Sequence, residues 1–357
     1  MWQCLRRAVG DPGRVLRGYA SRYHTLGPDA SVESIRDALH THGAVAFRAL
    51  GLTEAKQFEE LVKCFGWKNQ QLKPVDEEGA LVQLYHTYGR AGRQPPESPR
   101  SSDHWHSDNS YNFQPAFATS LYAVELPKVN NTPGTVATEF GGTWLCDGAR
   151  AYDALPKDLQ DWVLQLYAEH SSDYNGGLPV QLNADHTDTD FHGASASQVV
   201  STHIHPVVRR HPYTGRPCLY VNPGYTTRLI QADKTTPVST EMSKTLLQRL
   251  YKHMLGDWKH GAPSIFCRLF QWQSPGDMLV WDNTRMLHRA TTLEMPSTMQ
   301  RRMLRASLKG PPVIPFKADG PCEPTADSNS GAPSAVFDMF ESLYAGKDME
   351  AGVPGGS

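Results

Sequence analysis

Near the start of the patterned region apolar positions recur three and four apart, first Val32, Ile35 and Leu39, then Phe58, Leu61, Val62 and Phe65. Each set occupies one helical face, so two amphipathic helices are predicted, with stripes that pack inward. Between them His42-Gly43 supplies a stop, residues 44–50 read as a strand, and Thr53 opens the second helix. Residues 70–102 hold no sustained period and include Gly89-Arg90-Ala91-Gly92-Arg93-Gln94-Pro95-Pro96, which predicts a long loop. Residues 118–126 predict a buried strand and 130–134 a turn. Tyr152, Leu155, Leu159, Trp162, Val163 and Leu166 predict one helix over 149–170, followed by an irregular Ser-, Asp-, Asn-, His- and Gly-rich excursion over 171–203. Met242, Leu246, Leu247, Leu250 and Met254 predict a helix over 240–255. Strands over 266–272 and 278–281 flank a Pro275-Gly276 turn, and a polar Asp282-Asn283 corner leads on to His288.

Composition narrows the class. A chain of 357 residues, 39% hydrophobic, can bury one large β-rich core. A net charge of −2 lacks the basic footprint of a nucleic-acid binder, and no run of eighteen apolar residues suits a membrane helix. The six cysteines are scattered without a C-x-x-C pair, which points to reduced intracellular thiols rather than a disulfide frame or zinc finger. Arg6, Arg7, Arg14, Arg17 and Arg22 face a single acid, Asp11, in a segment 1–22 that resembles a mitochondrial presequence. Arg17-Gly18-Tyr19-Ala20 before Ser21 looks like a matrix-protease cleavage site. Gly10, Pro12 and Gly13 interrupt any helix there, so a basic disordered tail is the other reading, and mitochondrial and cytoplasmic placement both stand. A domain is expected over 23–310 and a Pro-, Gly- and Ser-rich disordered tail over 311–357, with at most a short helix at 335–344.

The candidate chemistry begins at Trp105-His106-Ser107-Asp108. In extended chain, side chains two apart share a side, so His106 and Asp108 can grip one ion while Ser107 points away. His104 lies on the same side if the strand is regular. One more distant histidine would complete a facial triad that leaves three adjacent metal positions open, and His288 is the candidate. Beyond it, Arg301 and Arg305 are four apart on one face of a predicted strand. Buried guanidiniums need anions, and a dicarboxylate anchored there could reach a metal with its other end. His186, His192, His203 and His205 suggest a second metal less well, because no carboxylate or thiol sits at tight spacing beside them.

Taken together, these blocks resemble the taurine dioxygenase / 2,4-dichlorophenoxyacetate dioxygenase family of Fe(II)- and 2-oxoglutarate-dependent oxygenases. Trp105-His106-Ser107-Asp108 is similar to its Trp-His-[Thr/Ser]-Asp, which selects His106 over His104. Gly141-Gly142-Thr143 with 151–155, His205-Pro206-Val207-Val208-Arg209 with His211-Pro212 and Gly215, and 220–228 match further blocks. Trp281-Asp282-Asn283 through His288-Arg289-Ala290-Thr291 and the Arg301/Arg305 pair complete a resemblance that covers roughly residues 30 to 310. The pieces suggest a mainly β fold with flanking helices, a double-stranded β-helix or jelly-roll of cupin type, with the ligands at its open end.

The resemblance implies Fe(II) held by His106, Asp108 and His288, 2-oxoglutarate fixed by Arg301 and Thr143, and O2 as the second cosubstrate. It implies hydroxylation of an unactivated C–H bond with release of succinate and CO2, or the same cofactor chemistry with desaturation, cyclisation or sulfite release. A metal-binding scaffold without turnover is the remaining alternative. Arg305 matches the arginine nearest the substrate's anionic group and Tyr225 an aromatic pocket position, so a small, anionic substrate is expected. Ser102 stands where taurine-specific members carry asparagine, and 171–173 where they carry a pocket phenylalanine, which turns the expectation towards a polar, larger molecule than taurine. The expected partner is a small molecule, neither nucleic acid nor membrane, and homo-oligomer formation stays open.

Overall fold

The computed structural model describes residues 24–25, 32–63, 83–88, 104–172, 201–257, 262–292, 295–309 and 313–316. The N-terminal basic segment, Ser102, His186, His192 and the tail from 317 onwards lie outside the described residues. The chain is mainly β with few helices. Six strands form the largest sheet, in spatial order His24–Thr25, Ala44–Phe47, Met278–Asp282, Ala116–Glu125, Gln300–Lys309 and Gln83–Tyr88. Three smaller three-stranded sheets follow, and the one that bears on the site runs Cys267–Phe270, Thr143–Asp147, Met286–Ala290.

Alternation along the strands sorts the core into two layers. One face of the large sheet carries Val45, Phe47, Tyr122, Met278, Val280 and Leu304, which pack with Ile35, Leu39, Phe58, Leu61 and Val62 from the helices Val32–His42 and Ala55–Lys63. The opposite face carries Ala44, Ala46, Leu279, Trp281 and Met303, which pack with Leu145, Phe270, Trp272 and Met286 of the small sheet and its flank. Arg301 and Arg305 share the parity of Met303, so the register directs both guanidiniums into this inner layer.

The helix Thr240–Leu255 matches its predicted span, capped at the start by the Ser239 hydroxyl, which accepts from the Met242 N–H, and closed by Gly256 at φ +67°. The single helix predicted over 149–170 is instead three elements: helices Gly148–Asp153 and Lys157–Val163, then a strand, Tyr167–Ser171. Pro156 has no N–H to continue the first helix and caps the second. Residues 167–171 are claimed by pairing on both sides, with Thr226–Ile230 and Thr202–Pro206, and tertiary pairing overrides the helical stripe. The predicted 70–102 loop is also corrected, because Gln83–Tyr88 pairs antiparallel with Gln300–Lys309 as an edge strand. Its sequence, Gln-Leu-Tyr-His-Thr-Tyr, shows no apolar alternation by which to find it. At the far end Ile314–Pro315 pairs with Val208–Arg210, and the Phe316 N–H donates to the Val208 carbonyl, so pairing continues past residue 310. Among the described residues no helix is long and apolar enough to cross a membrane.

Candidate metal centre

Two backbone hydrogen bonds create the site. The His106 N–H donates to the His288 carbonyl (3.0 Å) and the His288 N–H to the His106 carbonyl (2.8 Å), an isolated antiparallel bridge. Directly paired residues project to the same face, so the two imidazoles meet with ring centroids 4.1 Å apart. Asp108, two residues on, completes the triangle. Its Oδ1 lies 3.5 Å from His106 Nε2 and 3.6 Å from His288 Nε2, and one ligand atom from each of the three lies within 4.8 Å of the others. All three side chains are buried.

The surrounding groups fix the protonation of each of the three side chains. His106 Nδ1 lies 2.8 Å from the His104 carbonyl, and an oxygen there can only accept, so the proton sits on Nδ1 and the Nε2 lone pair faces the cluster. His104 therefore orients the ligand through its backbone and stays outside the triangle. Burial pushes the His288 imidazole well below its usual range, aided by His106, so it is neutral and can donate a lone pair. Burial alone would raise the Asp108 carboxyl, but the Arg305 guanidinium, and after it His288 and His106, hold it well below the usual carboxylate range. A directed chain ends on its other oxygen. Trp281 Nε1 donates to Asn283 Oδ1 (3.0 Å), Asn283 Nδ2 to Thr119 Oγ1 (2.9 Å), and the Thr119 hydroxyl to Asp108 Oδ2 (2.5 Å). The Ser107 hydroxyl donates to the Asn283 carbonyl (2.8 Å), so the residue facing away from the ion fastens the same corner.

The two arginines take different places. Arg305 Nη2 lies 2.7 Å from Asp108 Oδ1, the oxygen that faces both histidines. Arg301 Nη1 donates to the Gly141 carbonyl (2.5 Å), two residues before Thr143. The buried Thr143 hydroxyl accepts from Trp272 Nε1 (3.3 Å) and keeps its own proton to donate. Tyr225 is buried with its ring edge-on to His106 at 5.9 Å and to Tyr111 at 4.9 Å, so it walls the ligand side. His205 Nε2 donates to the Asn112 carbonyl (2.9 Å), and the His203 ring lies tilted beside it with centroids 4.7 Å apart. Neither belongs to a metal-sized group among the described residues. Thr119 is the residue that sequence reasoning missed. Its partner Trp281 is set by sheet register, and nothing local to Thr119 announces it.

A second group of the same composition, His40, His211 and Asp282, is also buried. Its protons are arranged the other way. His211 Nδ1 accepts from the N–H groups of Tyr213 (3.3 Å) and Thr214 (3.1 Å), so the proton is on Nε2, which donates to Asp282 Oδ2 at 2.7 Å. That lone pair is spent and the facing nitrogen is protonated. Asp282 Oδ1 accepts the Thr284 N–H at 2.7 Å. This group braces the corner between the Met278–Asp282 and Met286–Ala290 strands, whereas the donor set at His106, Asp108 and His288 fits a divalent metal with open positions.

Residues 20–307 match the family described as "Taurine catabolism dioxygenase TauD, TfdA family". An alpha-ketoglutarate-dependent sulfonate dioxygenase of Saccharomyces cerevisiae is 30% identical over 190 residues, 53% of this chain and 38% of that protein. An alpha-ketoglutarate-dependent sulfate ester dioxygenase of Pseudomonas putida is 26% identical over 301 residues, 83% of this chain and 86% of that one. The match thus spans less than half of the yeast relative. Among solved structures, a taurine dioxygenase from Burkholderia xenovorans superposes with a TM-score of 0.55 at 23% identity, covering 83% of this chain and 87% of that chain.

Proposed function

The chain belongs to the TauD, TfdA family, and on that premise we propose that it is an Fe(II)- and 2-oxoglutarate-dependent dioxygenase that hydroxylates an unactivated C–H bond of a small organic anion. The observation that carries the reading is the backbone bridge that sets His106 and His288 side by side, with Asp108 Oδ1 within 3.6 Å of both. His106, Asp108 and His288 would hold the metal through two neutral imidazoles and one carboxylate. When bound, ferrous iron with 2-oxoglutarate supplies oxidative decarboxylation of the keto acid to succinate and CO2 and delivery of the second oxygen atom to the substrate. Every other contribution is the protein's.

Arg301 and Thr143 lie on the inner face and supply a guanidinium and a hydroxyl for the far carboxylate of the cosubstrate. Arg305 is placed to meet an anion beside the metal, and Tyr225 offers an apolar edge against which the rest of a substrate can lie. The inner apolar layer around Leu145, Trp281 and Met303 keeps water from the reacting centre. The facing sheets are read as a double-stranded β-helix, with the ligands at one end. Relatives named for sulfonates and sulfate esters support an anionic substrate and leave taurine itself without special claim.

Anaerobic titration with Fe(II) and then 2-oxoglutarate is expected to give the weak visible charge-transfer band of the chelated keto acid. Absence of that band in folded protein would sink the cofactor assignment. A succinate-release screen over sulfonates, sulfate esters, aryloxy acids, betaines and amino acids then tests the substrate class, and product analysis separates hydroxylation from desaturation or loss of sulfite. If uncharged analogues stimulate as well as anions do, Arg305 has been given the wrong task.

A further inference from the structure

We propose that Cys146 and Cys267 form a peroxide-reactive dithiol, a modification site on the back of the sheet that carries His288. The backbone sets the pair. Cys146, on the central strand Thr143–Asp147, stands directly opposite Cys267 of the strand Cys267–Phe270, with Leu287 on its other side. The Asp147 N–H donates to the Phe266 carbonyl (3.1 Å), while the Cys267 N–H turns away to the Ser264 carbonyl (3.0 Å). Cys146 and Cys267 therefore occupy a non-hydrogen-bonded position of the antiparallel ladder, where Cα atoms approach to about 4.5 Å and side chains project together. That separation lies inside the range a disulfide spans, about 4.4–6.8 Å between Cα atoms. Leu145, one residue back, faces the inner layer, so the alternation of the strand turns Cys146 to the other face, away from the metal ligands.

The sulfurs meet at the end of a helix. Cys146 Sγ donates to the Met254 carbonyl (3.1 Å), Cys267 Sγ reaches the same oxygen at 3.5 Å, and the Ser264 hydroxyl donates to it as well. Met254 lies in the last turn of Thr240–Leu255, whose carbonyls lack partners within the helix. The two thiols also hydrogen-bond to one another, and Ser264 Oγ lies 3.5 Å from Cys267 Sγ. Their exposures differ, since Cys146 is fully buried and Cys267 half-buried. The Cys146 thiol and then Ser264 draw Cys267 below the usual thiol range, whereas burial raises Cys146, so Cys267 is the attacking sulfur and Cys146 the resolving one. The Cys267 thiolate attacks one oxygen of a peroxide, the O–O bond breaks, and hydroxide leaves a sulfenic acid behind. The Cys146 sulfur then attacks that sulfur, the S–O bond breaks, and a second hydroxide departs. The protons given up by the two thiols convert the hydroxides to water. Two thiols are thus oxidised to one disulfide while one hydrogen peroxide is reduced to two waters. Of the three donors to the Met254 carbonyl, only Ser264 remains afterwards.

The test uses the full chain loaded with Mn(II), which keeps iron from consuming the oxidant, and hydrogen peroxide as the probe. After unfolding and alkylation, peptide mapping is expected to show Cys146 and Cys267 joined in one dithiothreitol-sensitive cross-link, formed at least about tenfold faster than Cys218 is oxidised. Cys146→Ser should halt Cys267 at the sulfenic acid, captured by dimedone, and Cys267→Ser should leave Cys146 reduced. Alkylation of both cysteines after peroxide treatment, passage of Cys267 to sulfinic acid in the unmutated chain, or a cross-link from either to another cysteine would each overturn the pair. Mapping of the unmutated chain needs no substitution, so a serine variant that fails to fold does not shelter the proposal. Neither cysteine holds the metal, and the outcome leaves the oxygenase reading where it stands.

Discussion

At the scale of single residues the site is a matter of where protons sit. His106 and His211 belong to groups with the same two-histidine, one-aspartate composition, yet a carbonyl facing Nδ1 frees one for a metal, and two N–H groups facing Nδ1 bar the other. Thr119→Val removes the hydroxyl on Asp108 Oδ2 while keeping the shape. Supporting bonds of this kind are worth about 10–100-fold in metal affinity, so a loss in that range is expected in a metal titration, with an unchanged circular dichroism spectrum. An unaltered affinity would make the Trp281–Asn283–Thr119 chain structural only. Thiols offer a second check. Cys146 and Cys218 are buried and burial raises both, Cys218 to about 12, whereas half-buried Cys267 is lowered by the Cys146 thiol beside it and by Ser264. Iodoacetamide on the native chain should therefore label Cys267 before the other two, as peptide mapping would reveal. The pairing of His106 with Asp108 on one side could be read from the sequence because His-x-Asp is a local pattern with a fixed geometry. Thr119 could not, because its role exists only once the strands are in register.

At the scale of elements, the turns that approach the ligands leave no room for side chains. A Cβ on Gly224 would lie 2.5 and 2.7 Å from ring atoms of His104 and 3.0 Å from the Cβ of His106. The Gly224 N–H also donates to the Trp105 carbonyl, so the segment cannot simply retreat. Gly224→Ala is expected to displace the His106 ring and cut metal-dependent succinate release at least tenfold, with most secondary structure kept; wild-type turnover would show that the turn yields. The same scale explains what the sequence hid. The helix over 240–255 is dictated by its own stripe and cap, and was legible. Residues 167–171 follow a helical stripe up to Leu166, but their conformation is decided by neighbours on both sides. Gln83–Tyr88 owes its existence to the Gln300–Lys309 strand, a partner more than two hundred residues away.

Over the whole molecule, burial of neutral histidines links stability to pH. His170 and His205 are buried, and burial is the main influence that pushes both down, His205 to about 3. In the unfolded chain they regain ordinary values near 6.5. Between about pH 3 and 6.5 the unfolded chain therefore binds more protons, and stability is lost as pH falls through that window, by about 1.4 kcal/mol per pH unit for each such histidine. The urea midpoint should drop on going from pH 7 to pH 5, and His205→Gln should make the drop shallower; an equal slope in the variant would place the sensitivity elsewhere. The large-scale plan, mainly β with few helices, was legible from the ordered motif blocks, whereas the division of the core into an outer helical layer and an inner layer around the site needed the sheet register.

The Ser107–Asn283 bond joins residues 176 apart in sequence, and the His106–His288 bridge beside it spans a similar length of chain. A nascent polypeptide that has emerged past Asp108 but not as far as His288 owns one imidazole and one carboxylate of the centre but lacks the other imidazole. Iron capture must then wait until the Met286–Ala290 strand has left the ribosome, and a product terminated before it would lack the second imidazole.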